Sequence, residues 1–317
     1  MFSIVALLLL GLVLVLIGAE ALVDGASALA RKLGVSEFVI GLTIVALGTS
    51  APEMVVSFIA SFQNNSDMAV GNIFGSNIFN TALILGLSAV ICPIDITKDQ
   101  LRRDIPTNVG VTLLLIFFGM RNTVFGIGWN GMGRPEGILF IALFCWYMAK
   151  SFANGKNDCQ DEQSQTLGTV RSVLYILCGL AALVFGGRLF VNNAESVAKA
   201  LGWSDTFIAI TILAAGTSMP ELATSVIAAV KGKGQLALGN IIGSNTSNIL
   251  LILGGSAIIN PMDMNGISAY DCLVLVVCSL SLAVCAFTNR KRKLDRLEGS
   301  ILLVIEVAYM WYLINGI

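Results

Sequence analysis

Apolar residues fill long stretches of this chain, and short polar connections separate one stretch from the next. A helix that crosses the hydrocarbon layer of a membrane needs about 20 predominantly apolar residues, and many of the stretches approach that length. The pattern therefore predicts an all-α polytopic membrane protein with about ten transmembrane helices. The predicted spans are Phe2–Leu29, Glu37–Phe62, Met68–Val90, Ile105–Gly119, Gly137–Met148, Val173–Ala194, Phe207–Val230, Leu236–Ile258, Tyr270–Phe287 and Gly299–Leu313.

The composition agrees with a membrane protein and narrows its chemistry. Of the 317 residues, 56% are hydrophobic and 12% are charged, and the mean hydropathy is +0.83, which lies outside the range of soluble domains. Histidine is absent, and the seven cysteines follow no metal-binding spacing, so the commonest transition-metal ligands are missing. We expect no cofactor, no nucleic-acid partner, and a monomer whose surroundings are the lipid bilayer.

The chain contains an internal duplication. A shift of 168 residues aligns Ser36–Pro93 with Ser204–Pro261 without a gap, and 29 of the 58 aligned pairs are identical. The same shift aligns Gly18–Gly34 with Gly186–Gly202, so the first predicted helix also has a counterpart in the second half. The fold must therefore be interpreted as two copies of one unit.

The duplication and the charge distribution together predict a topology. With about five spans in each copy, an odd number, the second copy enters the membrane in the opposite orientation, as an inverted repeat. Fifteen lysines and arginines fall on one side of the predicted spans and three on the other, so the richer side is expected to be cytoplasmic and both termini periplasmic. The predicted units are a first five-helix repeat at 1–150, a cytoplasmic linker at 151–170 and an inverted five-helix repeat at 171–317.

Two glutamates lie inside the apolar sequence. Glu53 and Glu221 each end nearly the same hexapeptide, GTSAPE and GTSMPE. An ionisable side chain at the centre of a bilayer costs on the order of 3 kcal/mol on insertion scales, so such residues are functional candidates. An acid at a helix end among the lipid headgroups is the alternative, and the repetition of the motif argues against it.

A proline precedes each glutamate. Pro52 and Pro220 have no N–H to donate to the carbonyl four residues earlier, and the proline ring collides with that carbonyl. Carbonyls near Gly48 and Gly216 should therefore be released from the helix. Broken helices with free carbonyls form oxygen-lined cation sites in transporters, although a simple packing kink would need the same proline.

Helical spacing brings further oxygens to the same faces. Residues three and four apart are neighbours on a helix, which predicts one polar stripe around each glutamate and a second on the following helix. The glycines of the second stripes have GxxxG spacing, which favours close helix packing. The stripes comprise Thr49, Ser50 and Ser57 with Asn72, Ser76 and Asn80, and their copies Thr217, Ser218, Ser225, Asn240, Ser244 and Asn248; the glycines are Gly71, Gly75, Gly239 and Gly243.

The inverted symmetry should bring the two glutamates to face each other. Two bare carboxylates in a low dielectric repel, so one binds a proton or a cation lies between them. Oxygen donors without thiolate or imidazole favour hard cations such as Ca²⁺ or Na⁺. The site carries a charge of about −2, so one Ca²⁺ or two Na⁺ would neutralise it, and mutually exclusive occupancy by these ions would be the basis of exchange.

The paired motifs GTSAPE with GNIFGSNIFN and GTSMPE with GNIIGSNTSN resemble the two α-repeats of the calcium/cation antiporter superfamily, in its sodium/calcium exchanger branch. The resemblance implies that the first helix of each half slides to alternate access and that asparagine, rather than an acid, at Asn80 and Asn248 disfavours K⁺ co-transport. It implies that Glu53 and Glu221 bind Ca²⁺ with the carbonyls of Thr49 and Thr217, and that Ser50, Ser76, Ser218 and Ser244 with the carbonyls of Ala46 and Ala214 line Na⁺ sites.

The sequence thus predicts an antiporter, not an enzyme, that exchanges Ca²⁺ for Na⁺ in the inner membrane of a bacterium. A calcium/proton exchanger of the same superfamily would use the same two glutamates as proton carriers, although the Thr-Ser pair before each Pro-Glu favours Na⁺. A Ca²⁺-permeable channel is a second alternative, since inverted repeats also occur in pores. A membrane-embedded hydrolase has the least support because no water-activating group accompanies the acids.

Overall fold

A computed structural model describes residues 2–126, 128–154, 168–201, 214–264, 266–288 and 292–315 of the chain. Within these ranges the fold is almost entirely helical, as predicted. The α-helices are α1 Phe2–Leu33, α2 Glu37–Ile40, α3 Ala46–Thr49, α4 Ala51–Phe62, α5 Ser66–Phe79, α6 Gly86–Ile91, α7 Ile105–Phe125, α8 Arg134–Asn154, α9 Thr169–Ala200, α10 Ala214–Thr217, α11 Met219–Val230, α12 Gly234–Ser247, α13 Gly254–Ile259, α14 Ala269–Thr288 and α15 Arg296–Asn315.

Short π-helical segments interrupt or begin several of these helices without ending them. A π-turn inserts an extra residue into the helical ladder and is frequent at functional sites. Two of them stand at the same place in the two copies, directly after α5 and α12. The segments are π1 Gly41–Val45, π2 Asn80–Leu85, π3 Gln100–Asp104 and π4 Asn248–Leu253.

Six helices of the described residues are long and apolar enough to cross a membrane, and a seventh span is counted if the bent pair 37–49 and 51–62 is one. The predicted span Phe207–Val230 lies partly outside the described residues. The polytopic helical fold is therefore confirmed, whereas the number of ten spans stays a prediction. Several helices run beyond the apolar stretch that predicted them, since a helix can continue into the headgroup region with polar residues: α7 reaches Phe125 and α8 reaches Asn154.

The helices divide into a buried centre and a lipid-facing margin. Within the 18-residue apolar core of each span, 94% of the residues are buried in Gly234–Ile259 and 78% in Ser66–Ile91, whereas 22% are buried in Ser3–Leu33 and 28% in Thr169–Ala200. α5 and α12, which carry the polar asparagine stripes, are thus central, and α1 and α9 are peripheral. The apolar surface that α1 and α9 expose is the surface that a bilayer would cover.

α1 and α9 form a closely packed pair because glycines line their contact. A Cβ atom on Gly11 would lie 2.9 Å from the carbonyl oxygen of Gly186, and one on Gly179 would lie 2.8 Å from the carbonyl oxygen of Gly18. Such approaches are possible only without a side chain. The first helices of the two copies therefore contact each other along a smooth backbone surface.

Two short antiparallel strand pairs join the loops of the two halves. The strands are β1 Ile94–Asp95, β2 Gly131–Met132, β3 Met262–Asp263 and β4 Lys293–Leu294. β1 pairs with β4, with Ile94 opposite Leu294, and β2 pairs with β3, with Met132 opposite Met262.

The connection between the halves is described only at its ends. α8 continues to Asn154 and α9 begins at Thr169, so the predicted linker at 151–170 is helical at both margins. The stretch 155–167, which holds most of the acidic and amide residues of this linker, lies outside the described residues.

Candidate functional site

The chain breaks its helix at the same point in both copies. α3 ends at Thr49, Ser50 adopts φ −79° and ψ 8°, and α4 begins at Ala51. In the second copy Ser218 adopts φ −87° and ψ 8° before α11 begins. Proline at the start of α4 and of α11 is compatible with a helix N-terminus but not with a helix interior. The helix axis turns by 48° at the break of the first copy, which places Glu53 in the first turn of a new helix.

The two glutamates are fully buried and are held by the opposite copy. Glu53 and Glu221 both have 0% exposed surface. The Ser218 hydroxyl donates a hydrogen bond of 2.9 Å to Oε1 of Glu53, and the Ser50 hydroxyl donates one of 2.8 Å to Oε1 of Glu221. These crossed contacts bring both carboxylates to the interface between the copies, as the sequence predicts. Hydrogen bonds to a carboxylate are among the stronger ones in proteins.

Amides of α5 and α12 support the broken helices. The Asn72 side chain donates to the Glu53 backbone carbonyl at 3.3 Å and to the Ser57 hydroxyl at 3.0 Å. In the second copy Asn240 donates to the Ser225 hydroxyl at 3.0 Å, and the oxygen of Asn240 accepts a bond of 3.2 Å from the Thr49 hydroxyl. The serine stripe on one helix and the asparagine stripe on the next therefore bind each other, and part of the predicted oxygen set already has protein partners.

Asparagines at the π-segments form a second set of contacts between the copies. Asn80 donates to Oδ1 of Asn245 at 3.2 Å, and Asn248 is 3.5 Å from Oδ1 of Asn77. Asn245 also donates to the Thr81 hydroxyl at 2.7 Å. Sequence reasoning by helical spacing did not select Asn77 and Asn245, because they lie one residue off the stripe. Their identity in both GSN motifs was the signal that could have identified them.

Several oxygens of the two repeated motifs are buried and lack a hydrogen-bond partner among the described residues. Buried oxygens are almost always paired in proteins, so unpaired ones in both copies of a motif point to a ligand. Carboxylate, amide and hydroxyl oxygens in this arrangement suit a hard cation. The unpaired atoms are Oε2 of Glu53, Oε2 of Glu221, Oδ1 of Asn80, Oδ1 of Asn248, Oγ1 of Thr217 and Oγ of Ser244.

The other predicted site residues are Ser76 and the carbonyl-bearing residues Ala46 and Ala214. Ser76 is buried on α5. The carbonyl of Ala46 accepts the Ser50 N–H at 3.0 Å and the Thr49 hydroxyl at 3.3 Å, so it is already bonded within its own helix. Ala214 begins α10 at the edge of the described residues, and its side chain lies outside them.

The charge of the site comes from two carboxylates only. Among the described residues no group of three or more His, Cys, Asp or Glu side chains converges on one point. A zinc-type or carboxylate-rich site is therefore absent from this part of the chain, and a bound cation would rely on neutral oxygens for most of its coordination.

A cavity of about 200 Å³ lies between α9 and the two broken helices. Pro52 and Val56 line it from the first copy, and Thr217 and Pro220 line it from the second; Arg188 contributes from α9. The cavity borders the residues that precede both glutamates.

Comparisons with a family model, with related sequences and with solved structures all point to sodium/calcium exchangers. The family model described as sodium/calcium exchanger protein matches residues 3–153 and 171–315. CaxA of Alkalimonas amylolytica is 38% identical and aligns over 97% of this chain and 98% of its own length. The sodium/calcium exchanger MaX1 of Methanosarcina acetivorans is 35% identical over 96% of both chains. A structure of the sodium-calcium exchanger NCX_Mj superposes with a TM-score of 0.83 at 33% identity, over 98% of both chains.

Proposed function

We propose that this chain, which belongs to the sodium/calcium exchanger protein family, exchanges Ca²⁺ for Na⁺ by alternating access around one central site. Membership makes it a multi-pass membrane antiporter for Ca²⁺ and other cations, with ions as substrates and no enzymatic activity. The observation that carries the finer proposal is that each of the buried carboxylates of Glu53 and Glu221 has one oxygen without a partner, as do further buried oxygens of the same repeated motifs.

The two glutamates are the proposed Ca²⁺ ligands. Each carboxylate uses Oε1 to accept a serine hydroxyl from the other copy, which leaves Oε2 for a cation. The carbonyls of Thr49 and Thr217 stand at the helix breaks, one residue after the carbonyls of Gly48 and Gly216 that the prolines leave without a donor, and would complete the oxygen set with Asn80 and Asn248. Ca²⁺ takes six to eight oxygens in flexible geometry, which a set of mixed oxygens can supply.

Flanking Na⁺ sites are proposed at the serines and at the carbonyls before the breaks. Ser50 and Ser218 already contact the carboxylates, so a Na⁺ at either serine hydroxyl would share a carboxylate with the central position. Ser76 and Ser244, and the carbonyls of Ala46 and Ala214, would provide the outer ligands. Occupancy of these positions by Na⁺ would place positive charge against the Ca²⁺ position and expel the divalent ion.

Charge balance explains why the two ions would exclude each other. Two buried carboxylates supply about −2, so one Ca²⁺ or two Na⁺ neutralises the site, and a third Na⁺ leaves about +1. Because a net charge is expensive to bury, Ca²⁺ and the full Na⁺ set cannot be bound together. Exchange of three Na⁺ for one Ca²⁺ would move one net charge per cycle, worth about 2.3 kcal/mol per 100 mV.

The peripheral helix pair is the proposed moving element. α1 and α9 pack closely through glycines, so the pair could move as one body relative to the buried α5 and α12. The cavity beside α9 would be the open path in this conformation. Sliding of the pair would close that path and open the equivalent one beside α1.

The proposed topology follows from the sequence. The two units are the repeats at 1–150 and 171–317, joined by a linker on the cytoplasmic side at 151–170. Both termini would face the periplasm, because the side richer in lysine and arginine is cytoplasmic. The antiporter would act as a monomer within the lipid of a bacterial inner membrane.

The experiment that tests this function is uptake of ⁴⁵Ca²⁺ into proteoliposomes that contain the purified protein. Vesicles loaded with Na⁺ and diluted into choline are compared with vesicles that carry only a pH gradient. Uptake driven by the outward Na⁺ gradient supports Na⁺/Ca²⁺ exchange. Uptake driven only by the proton gradient would replace the proposal with calcium/proton exchange at the same glutamates. Uptake that needs neither gradient, and whose rate exceeds the range of carriers, would indicate a channel.

A further inference from the structure

Arg188 is a charged residue in an unusual position. It lies within the 32-residue helix α9, which spans the membrane, and its side chain is exposed. An arginine at this depth is tolerated when it pairs with an acid or faces water. Among the described residues no carboxylate lies within ion-pair distance of it. Arg188 lines the cavity that also reaches Thr217 and Pro220, here called the α9 opening.

The duplication places an acid at the corresponding position of the other copy. Glu20 of α1 stands 168 residues before Arg188, and Asp24 stands 168 residues before Asn192. Both acids bind Lys231 in the turn between α11 and α12, with Nζ 3.1 Å from Glu20 and 2.9 Å from Asp24. The side of the protein beside these two acids, here called the α1 side, thus carries acids that are compensated by lysine.

The α9 opening has neither acids nor lysines at these positions. The residues 168 positions before Lys231 and Lys233 are Gln63 and Asn65, which are neutral. The positive charge of Arg188 therefore has no counter-charge at the positions that the duplication relates to Lys231 and Lys233. The α9 opening consequently carries an uncompensated positive charge, whereas on the α1 side the acids and the lysines balance each other.

We propose that Arg188 is a selectivity-determining residue at the α9 opening, where its positive charge disfavours Ca²⁺ more than Na⁺. The energy of an ion in a given electrostatic potential is proportional to its charge, and its local concentration depends exponentially on that energy. A potential that lowers the local concentration of Na⁺ about twofold therefore lowers that of Ca²⁺ about fourfold. The inference rests on the proposed Na⁺/Ca²⁺ exchange, because it concerns the ions that this site would take.

The consequence is an asymmetry between the two faces of the protein. At the α9 opening Na⁺ would compete better against Ca²⁺ than it does on the α1 side, so Ca²⁺ is released and Na⁺ is taken up there more readily. The charge changes apparent affinities and rates on one face, and the overall equilibrium of exchange, which the ion gradients fix, stays the same.

The test compares Arg188→Gln with Arg188→Lys in vesicles of the two opposite orientations, formed from spheroplasts and by eversion. Removing the charge should raise the apparent affinity for Na⁺ about twofold and that for Ca²⁺ about fourfold, on one face only, and high ionic strength should reduce both effects. Arg188→Lys keeps the charge and should match the wild type. Equal changes for the two ions, changes on both faces, or a lysine variant that behaves like the glutamine variant would overturn the proposal.

A second measurement does not depend on transport. Val56 lines the same cavity, and a Val56→Cys thiol can be labelled with a cationic or an anionic methanethiosulfonate and quantified by peptide mass. With Arg188 present the ratio of cationic to anionic labelling should be lower than in the Arg188→Gln background, and an unchanged ratio would refute the electrostatic role. Wild-type vesicles that fail to couple Na⁺ to Ca²⁺ would refute the proposed exchange instead, so the two failures are distinguishable.

Discussion

The hydroxyl of Ser50, in the first copy of the duplicated unit, donates a hydrogen bond of 2.8 Å to Oε1 of Glu221 in the second copy. The reciprocal bond from Ser218 to Glu53 is 2.9 Å long. Each carboxylate is therefore oriented by the copy to which it does not belong. A site built in this way is complete only when the two copies are docked, and a movement of one copy against the other would change both carboxylates together.

We predict that Glu53→Gln and Glu221→Gln each reduce Na⁺-driven Ca²⁺ uptake by at least about 100-fold, because the loss of one charge leaves the site unable to neutralise Ca²⁺. The free energy of unfolding should change by about 1 kcal/mol or less, since an amide of the same shape replaces a buried acid. Uptake in proteoliposomes and thermal unfolding in detergent measure the two effects.

The matched control for the glutamates is Glu195→Gln. Glu195 lies on α9 and pairs with Lys199 at 2.8 Å at the surface, and it is not among the proposed ligands, so uptake should stay within about threefold of the wild type. Substantial exchange by either purified glutamine variant of Glu53 or Glu221 would exclude that residue as an essential ligand.

We also predict that Ser50→Ala destabilises the protein by about 1–3 kcal/mol, because Oε1 of buried Glu221 loses its donor. The apparent affinity for Na⁺ should fall in the same variant, whereas Ser50→Thr, which keeps a hydroxyl, should retain most of both. Ser61→Ala is the control: Ser61 is also buried, but its hydroxyl bonds the backbone carbonyl of Ser57 on its own helix at 2.8 Å, and its contact with the second copy is only to the weak acceptor Sδ of Met262 at 3.8 Å. Equal losses in the two alanine variants would show that the bond between the copies has no special role.

The sequence was sufficient to predict the helical membrane fold and the two buried glutamates with their neighbouring serines Ser50 and Ser218, because the duplication marks them twice. It was not sufficient to predict how they pair. Helical spacing relates residues of one helix, whereas Ser50 bonds Glu221 and Asn80 bonds Asn245 across the two copies. The π-segments that begin at Asn80 and Asn248 also shift the register by one residue, which a constant period of 3.6 residues does not anticipate.

For the glycines, too, the spacing along one helix did not predict the partner on another helix. GxxxG spacing predicted close packing, and on α12 a Cβ on Gly239 or Gly243 would lie 2.2 Å from the carbonyl oxygen of Phe38 or Leu42. On α5 no described atom lies within 4 Å of a Cβ on Gly71 or Gly75. Residues 206 and 210, which the shift of 168 residues relates to Phe38 and Leu42, lie outside the described ranges. Spacing identifies a smooth face, and the partner of that face depends on the tertiary structure.

The close contact on α12 gives a third prediction. Gly243→Ala should destabilise the protein by several kcal/mol, roughly 3, because a methyl group would overlap the backbone of Leu42 and neither backbone can move freely. Gly110→Ala on α7 is the control, since Gly110 is exposed and no described atom lies within 4 Å of its Cβ position; there alanine should be neutral or slightly stabilising. Thermal unfolding of both variants in the same detergent measures the difference, and an unaffected Gly243→Ala protein would contradict the packing.

The last prediction concerns the ion pairs that tie α1 to the turn after α11. Lys231 contacts Glu20 and Asp24, and Lys233 lies 3.5 Å from Asp24. Partial burial lowers the pKa of Lys231, but the hydrogen bonds and charges of Asp24 and Glu20 raise it by more, so the net shift of the pKa is upward. The lysine therefore stays charged at neutral pH, and the ion pairs link α1 to this turn.

If these ion pairs restrain α1, Lys231→Gln should speed hydrogen exchange of α1 amides near Asp24 and lower stability by about 1 kcal/mol or less, since the pair is partly exposed. A group whose pKa is raised in the folded state stabilises it below the unfolded pKa and ceases to do so as pH rises through the folded pKa. The stability difference between wild type and variant should therefore persist at neutral and mildly alkaline pH and disappear only above the usual range of lysine. Lys32→Gln, at the exposed end of α1, is the control. Unchanged exchange in Lys231→Gln, or the same acceleration in Lys32→Gln, would mean that packing against α9 alone positions α1.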